Sequence, residues 1–146
     1  RFGRFGMNVQ ALEVQLNHDE GRKYKIYVDT VGKRSIGVGR NLDDVGVSDD
    51  EIDLMLQNDV QRAVNLLNMN APWWSQLTDA RQQVMANMCL NMGWGDGTKG
   101  LSSFKNTLAC IKGGDYDRAA DQMLLSLWAK QVGQRANRLA DMMRKG

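Results

Sequence analysis

A mainly helical α+β fold, with one small antiparallel hairpin near the N-terminus, is what this 146-residue sequence predicts. Three observations carry the prediction. Apolar residues recur at helical spacing in several separate stretches. Only residues 24–39 alternate and combine β-branched residues with three glycines, as a short hairpin does. A single proline and nine methionines suit long helices.

The elements follow in order. Val9, Leu12 and Leu16 share one face, so the spacing predicts a first helix from about 8 to 20, with Gly21 placed to cap it. The hairpin of residues 24–39 comes next. Ser48-Asp49-Asp50-Glu51 is a capping box, and Val47 and Ile52 stand where a hydrophobic staple places them. The long helix that follows carries Ile52, Met55, Leu56, Val60, Ala63, Val64 and Leu67 on its apolar face and ends before Pro72. Thr78 opens another helix to about Met92, and a loop follows with four glycines between Gly93 and Gly100. Three more helices are expected near 102–112, 115–130 and 134–144, the first ended by Gly113-Gly114.

At 42% apolar and 25% charged, the composition is that of an ordinary globular protein. A single domain is expected over residues 1–146. Within it, 1–7 read as a tail or linker remnant, with Met7 the alternative start, about 21–47 as a β lobe, and about 48–146 as a lobe-linking helix and helical lobe. No apolar stretch approaches a membrane span, and no apolar run follows Arg1–Gly6 to make it a signal peptide. A net charge of +2 is too low for a nucleic-acid footprint, although Arg1–Gly6 interleaves Arg and Phe. Cys89 and Cys110 lie in apolar helical stretches and read as buried thiols rather than a disulfide. No metal-ligand spacing accompanies them.

The chemistry-bearing feature is a pair of acidic residues, Glu20 and Asp29. Glu20 closes the first helix, and Asp29 lies in the turn of the hairpin. A helix end and a hairpin turn can hold two carboxylates on opposite walls of a cleft. Glycosidic cleavage uses such a pair, one protonating the leaving oxygen and one orienting water or stabilising positive charge. Each residue also has a plainer reading. Glu20 is an acceptable solvated helix end, though its charge opposes the helix dipole, and Asp is common in turns. His18, the only histidine, is read as a surface or core-edge residue, without a second histidine for a triad or a metal site.

Further residues tie the pair to a family. Glu20-Gly21, Lys25-Ile26-Tyr27, Asp29-Thr30, Gly32 and Ser35-Ile36-Gly37-Val38-Gly39 stand in one order and spacing. Asn87-Met88-Cys89-Leu90-Asn91-Met92-Gly93, Phe104-Lys105-Asn106-Thr107-Leu108, and Trp128 with Gln131, Arg135 and Arg138 follow. Over residues 11–139 the sequence resembles the phage-type lysozymes, bacteriophage muramidases related to the T-even phage lysozyme. The resemblance implies a lysozyme-like fold and a glycoside hydrolase that cuts the β-1,4 bond between N-acetylmuramic acid and N-acetylglucosamine in peptidoglycan. It implies Glu20 as the acid, Asp29 as its ionised partner and Ser35 as a site hydroxyl. It places Leu90, Asn91, Phe104, Thr107 and Gln122 along the substrate cleft, with Leu90 and Phe104 equally suited to the core. It pairs Asp19 with Arg138 and Glu20 with Arg135. Trp94, in the glycine-rich loop, is a candidate saccharide contact and equally a packing residue.

Three departures stand out. Only about eight residues separate Arg40 from Ser48, so the β lobe is reduced relative to the family. Arg40 stands where the family often has His, and Ser35 where it often has Thr. The resemblance implies no metal and no organic cofactor. It also implies a phage or prophage protein, acting as a monomer or as a domain of a larger virion protein. Such a protein is made in the host cytoplasm and acts in the periplasm or cell wall. Two other readings are weaker: a lytic transglycosylase, which can work with one Glu and against which Asp29 with Ser35 argues, and a non-catalytic wall-binding module, which would keep the cleft but not need both carboxylates.

Overall fold

The computed structural model describes residues 6–146, so most of the expected N-terminal tail lies outside the described residues. The chain divides between Asp53 and Leu54 into two compact units. Among the described residues the fold is the expected mainly helical α+β, lysozyme-like arrangement of seven helices and one three-stranded antiparallel sheet.

The first unit opens with α1 (Val9–Glu20). Asn8 caps it by accepting from the Ala11 N–H, and Gly21, at φ 72°, closes it as expected. The sheet follows, with β1 (Lys23–Val28), β2 (Arg34–Gly37) and β3 (Arg40–Asn41) in that spatial order. Tyr27 pairs with Ser35 and Val28 with Arg34, while the register shifts between Lys23 and Tyr27. Strand β3 pairs Asn41 with Ser35 and Arg40 with Ile36, and extends the expected hairpin. Two residues are too short a run for periodicity to reveal.

The capping box forms as expected. The Ser48 hydroxyl accepts from the Glu51 N–H, and the Glu51 carboxylate accepts from the Ser48 N–H. Helix α2 (Asp49–Asn70) starts there.

In the second unit a 3₁₀ turn, Pro72–Gln76, follows α2, and then α3 (Asp79–Met92), capped by the Thr78 hydroxyl. Between Leu101 and Lys112 the expected helix is broken. A 3₁₀ turn, Leu101–Ser103, precedes α4 (Lys105–Lys112), with Phe104 at the joint. The stretch expected as one helix over 115–130 is two, α5 (Tyr116–Leu124) and α6 (Leu127–Val132). Ser126 causes the break: its hydroxyl accepts from the Ala129 N–H and starts a new helix. Helix α7 (Gln134–Lys145) completes the chain as expected.

The core of this unit is built mainly by α3, α5 and α7. Val84, Met85, Met88, Ala119, Ala120, Met123, Leu139 and Met143 are all buried there. Arg81 ties α3 to the end of α7. Its guanidinium donates to the Met143 and Arg144 carbonyls and lies 3.4 Å from the Tyr116 ring centre. Cys89 and Cys110 are free thiols. Cys89 is buried, which pushes its thiol pKa up, whereas Cys110 is only half-buried.

Candidate active site

In the first unit, the end of α1 and the β2–β3 turn bring Glu20 and Gly39 together. A Cβ built on Gly39 would stand 3.3 Å from the Glu20 carboxyl carbon and from Oε2. Asp19, beside it, faces His18, with Nδ1 and Oδ1 3.2 Å apart.

Asp29 lies just past β1, at the start of the turn into β2. One of its oxygens holds that turn. Oδ1 accepts from the Val31 N–H at 3.0 Å and from the Lys33 N–H at 2.8 Å. This is an Asx turn, which explains why Asp suits the position locally. Among the described residues, no hydrogen bond engages Oδ2. The carboxylate therefore has one structural oxygen and one available for chemistry.

Ser35 is buried on β2, opposite Tyr27 and Asn41. Arg40 anchors the adjoining turn. Its guanidinium donates to the Gly46 carbonyl at 3.0 Å and to Glu51 at 2.8 Å. The Arg40 guanidinium and the Ser48 cap hold the Glu51 carboxyl down to about 2.

In the second unit, a cavity of about 620 Å³ gathers Phe104, Thr107 and Gln122, three of the five expected substrate-cleft residues. Trp128 also lines it, edge-on to Phe104 with ring centres 6.1 Å apart. Asn91 serves the cavity indirectly, because its Oδ1 accepts from the Trp128 indole N–H at 2.8 Å. Leu90 lines a separate, smaller cavity of about 370 Å³, with Leu56, Val60 and Arg135. Lys99, Asn106, Ser126 and Gln131 line the larger cavity as well. Sequence reasoning does not single them out as ligand-facing. Asn106 and Gln131 nevertheless lie inside the segments that carry the family resemblance.

The arginines of α7 have their own surroundings. Arg135 donates through Nε and a terminal nitrogen to Asn87 Oδ1, at 3.0 and 2.6 Å. Arg138 is exposed and lines a surface depression with Arg135, Asp141 and Arg144. Trp94 is half-buried and packs against the core.

A polar, aromatic-floored cavity with Thr, Asn, Gln and Lys groups is chemically suited to hydroxyl- and amide-bearing ligands such as sugars and peptides. Carboxylates at a helix end and in a turn are suited to acid–base work. Among the described residues, no helix is long and apolar enough to cross a membrane, and no three His, Cys, Asp or Glu side chains cluster as a metal site would require.

Known proteins are similar to this chain in sequence. The phage lysozyme family profile matches residues 17–145. The probable T4-type lysozyme 2 of Dictyostelium discoideum is 26% identical, over 94% of this chain and 96% of that protein. The probable T4-type lysozyme 1 of the same organism is 24% identical over the same shares. The pre-baseplate central spike protein Gp5 of Enterobacteria phage T4 is 26% identical over 88% of this chain but only 27% of its own length. These likenesses support a lysozyme-like, peptidoglycan-degrading activity of the glycoside hydrolase type. With the profile spanning both the carboxylate pair and the polar cavity, the chain belongs to the phage lysozyme family.

Proposed function

We propose that this protein is a muramidase. It hydrolyses the β-1,4 bond between N-acetylmuramic acid and N-acetylglucosamine in bacterial peptidoglycan. The observation that carries the reading is Asp29, whose Oδ1 is committed to its turn and whose Oδ2 engages no partner among the described residues. The turn engages one carboxylate oxygen as acceptor, which leaves the other free to face a developing cation or a water.

Glu20 protonates the leaving oxygen. Asp29 orients water or supports the oxocarbenium-like transition state, with the Ser35 hydroxyl helping to hold that water. Thr107, Gln122 and Phe104 hold saccharide or stem peptide in the cavity of the second unit, and Asn91 fixes the Trp128 wall. The Gp5 likeness favours a virion-associated role in phage wall degradation, as one domain of a larger protein.

The test is Glu20→Gln. The amide is nearly isosteric but cannot donate the proton, and general acid catalysis contributes about 10²–10⁴-fold. Lysis of purified peptidoglycan should fall by that order in the folded variant, and a wild-type rate would remove Glu20 from the mechanism. Mass spectrometry of the digest separates the alternatives: hydrolysis gives reducing muramic ends, transglycosylation gives anhydro sugars, and a binding module gives no new products.

A further inference from the structure

The end of β2 and the β2–β3 turn carry two glycines with the same φ and different surroundings. Gly37 and Gly39 both have φ 70°, a conformation that L side chains rarely adopt. Backbone geometry alone therefore explains glycine at both positions. A Cβ on Gly37 would meet nothing within 4 Å. A Cβ on Gly39 would stand 3.3 Å from Glu20 Cδ and Oε2 and 3.5 Å from Cγ. That spacing is tighter than ordinary van der Waals contact, so the carboxyl would have to give way.

The turn itself has little freedom to retreat. Arg40, the next residue, pairs with Ile36 in the sheet, and one of its guanidinium nitrogens donates both to the Gly46 carbonyl and to the Glu51 carboxylate in the cap of α2. The backbone of Gly39 is thus a fixed floor beneath the end of the Glu20 side chain, which is the movable partner.

We propose that Gly39 is a positioning residue for the Glu20 carboxyl: its missing side chain sets where the acid sits. This rests on Glu20 being the acid of the reaction proposed above. A proton donor acts only from hydrogen-bonding range of the leaving oxygen; since a misplacement of about 1 Å costs on the order of 10²-fold, a shift of a few tenths of an ångström should cost on the order of several-fold.

The two glycines supply a matched pair for the test. Gly39→Ala and Gly37→Ala place the same methyl group on the same backbone dihedral, and only the first meets Glu20. Initial rates on soluble, uncross-linked peptidoglycan chains give kcat and KM separately, and thermal unfolding gives the stability of each variant. Gly39→Ala should lower kcat about 3- to 10-fold with KM changed less than about twofold. Gly37→Ala should lose similar stability and keep kcat within about threefold of wild type. Should either alanine variant fail to fold, Gly39→Asn and Gly37→Asn repeat the comparison with a side chain that tolerates positive φ better.

Equal kcat losses in the two variants would make both glycines purely backbone residues and overturn the proposal. So would a Gly39 variant with wild-type kcat. Glu20→Gln is measured alongside. If it keeps full activity, the acid assignment itself fails; if it is inactive while Gly39→Ala is active, only the positioning role fails.

Discussion

Replacing Asp29 by Asn and by Ala separates its structural oxygen from its chemical one. Asn keeps a carbonyl oxygen at Oδ1, able to accept from the Val31 and Lys33 N–H groups at 3.0 and 2.8 Å. Ala keeps neither. A typical hydrogen bond contributes about 0.5–1.5 kcal/mol net. Two such bonds predict about 1–3 kcal/mol lost in Asp29→Ala, toward the lower end because Asp29 is only half-buried and water can reach the freed N–H groups. Asp29→Asn should stay within about 0.5 kcal/mol of wild type, as substitutions that spare such features do. Activity should behave otherwise. Both variants lack the carboxylate charge, so both should lose wall lysis to a similar degree. Urea unfolding gives the stability difference, and initial rates of lysis on purified peptidoglycan give the activity. If Asp29→Asn were as unstable as Asp29→Ala, the turn would not depend on the Oδ1 acceptor. If Asp29→Asn were as active as wild type, the charge would have no part in the reaction.

Other outcomes are expected from the same contacts. The Glu51 carboxyl is lowered from 4.5 to about 2 by Arg40 and Ser48, so its contribution to stability is complete above the unfolded value and is lost as pH falls through the folded one. Glu51→Gln should therefore be less stable than wild type near neutrality, with the gap closing in acid; a pH-independent gap in thermal midpoint would contradict this. Trp128→Phe removes the indole N–H that Asn91 accepts and should cost about 0.5–1.5 kcal/mol in urea unfolding. It should also raise KM more than it lowers kcat, because the cavity wall shifts while the carboxylates do not. Leu139→Ala empties a site that is 1% exposed and should cost about 2–5 kcal/mol by chemical denaturation. Lysis should be unchanged by chelator, and loss in EDTA restored by added metal would show a metal-dependent step.

Local signals carried much of the fold. The end of α1 at Glu20-Gly21, the Ser48–Glu51 capping box, the Thr78 cap and the Gly113 stop each depend on partners within four residues, so the sequence states them directly. The family resemblance rested on the same kind of short segments, and those segments nominated Glu20 and Asp29 as the acidic pair. The break at Ser126 was also written in a local cap, but the apolar period across 115–130 overrode it in a reading by periodicity. What only the tertiary structure decided are the meetings of distant residues. Asn91 braces Trp128 across 37 positions, Leu90 and Phe104 line separate cavities, and Gly39 lies under the Glu20 carboxyl. Composition and period fix which face of an element is apolar. Which atom of one element touches which atom of another is fixed by close packing and by hydrogen-bond geometry over a few tenths of an ångström, and no spacing along the chain encodes that distance.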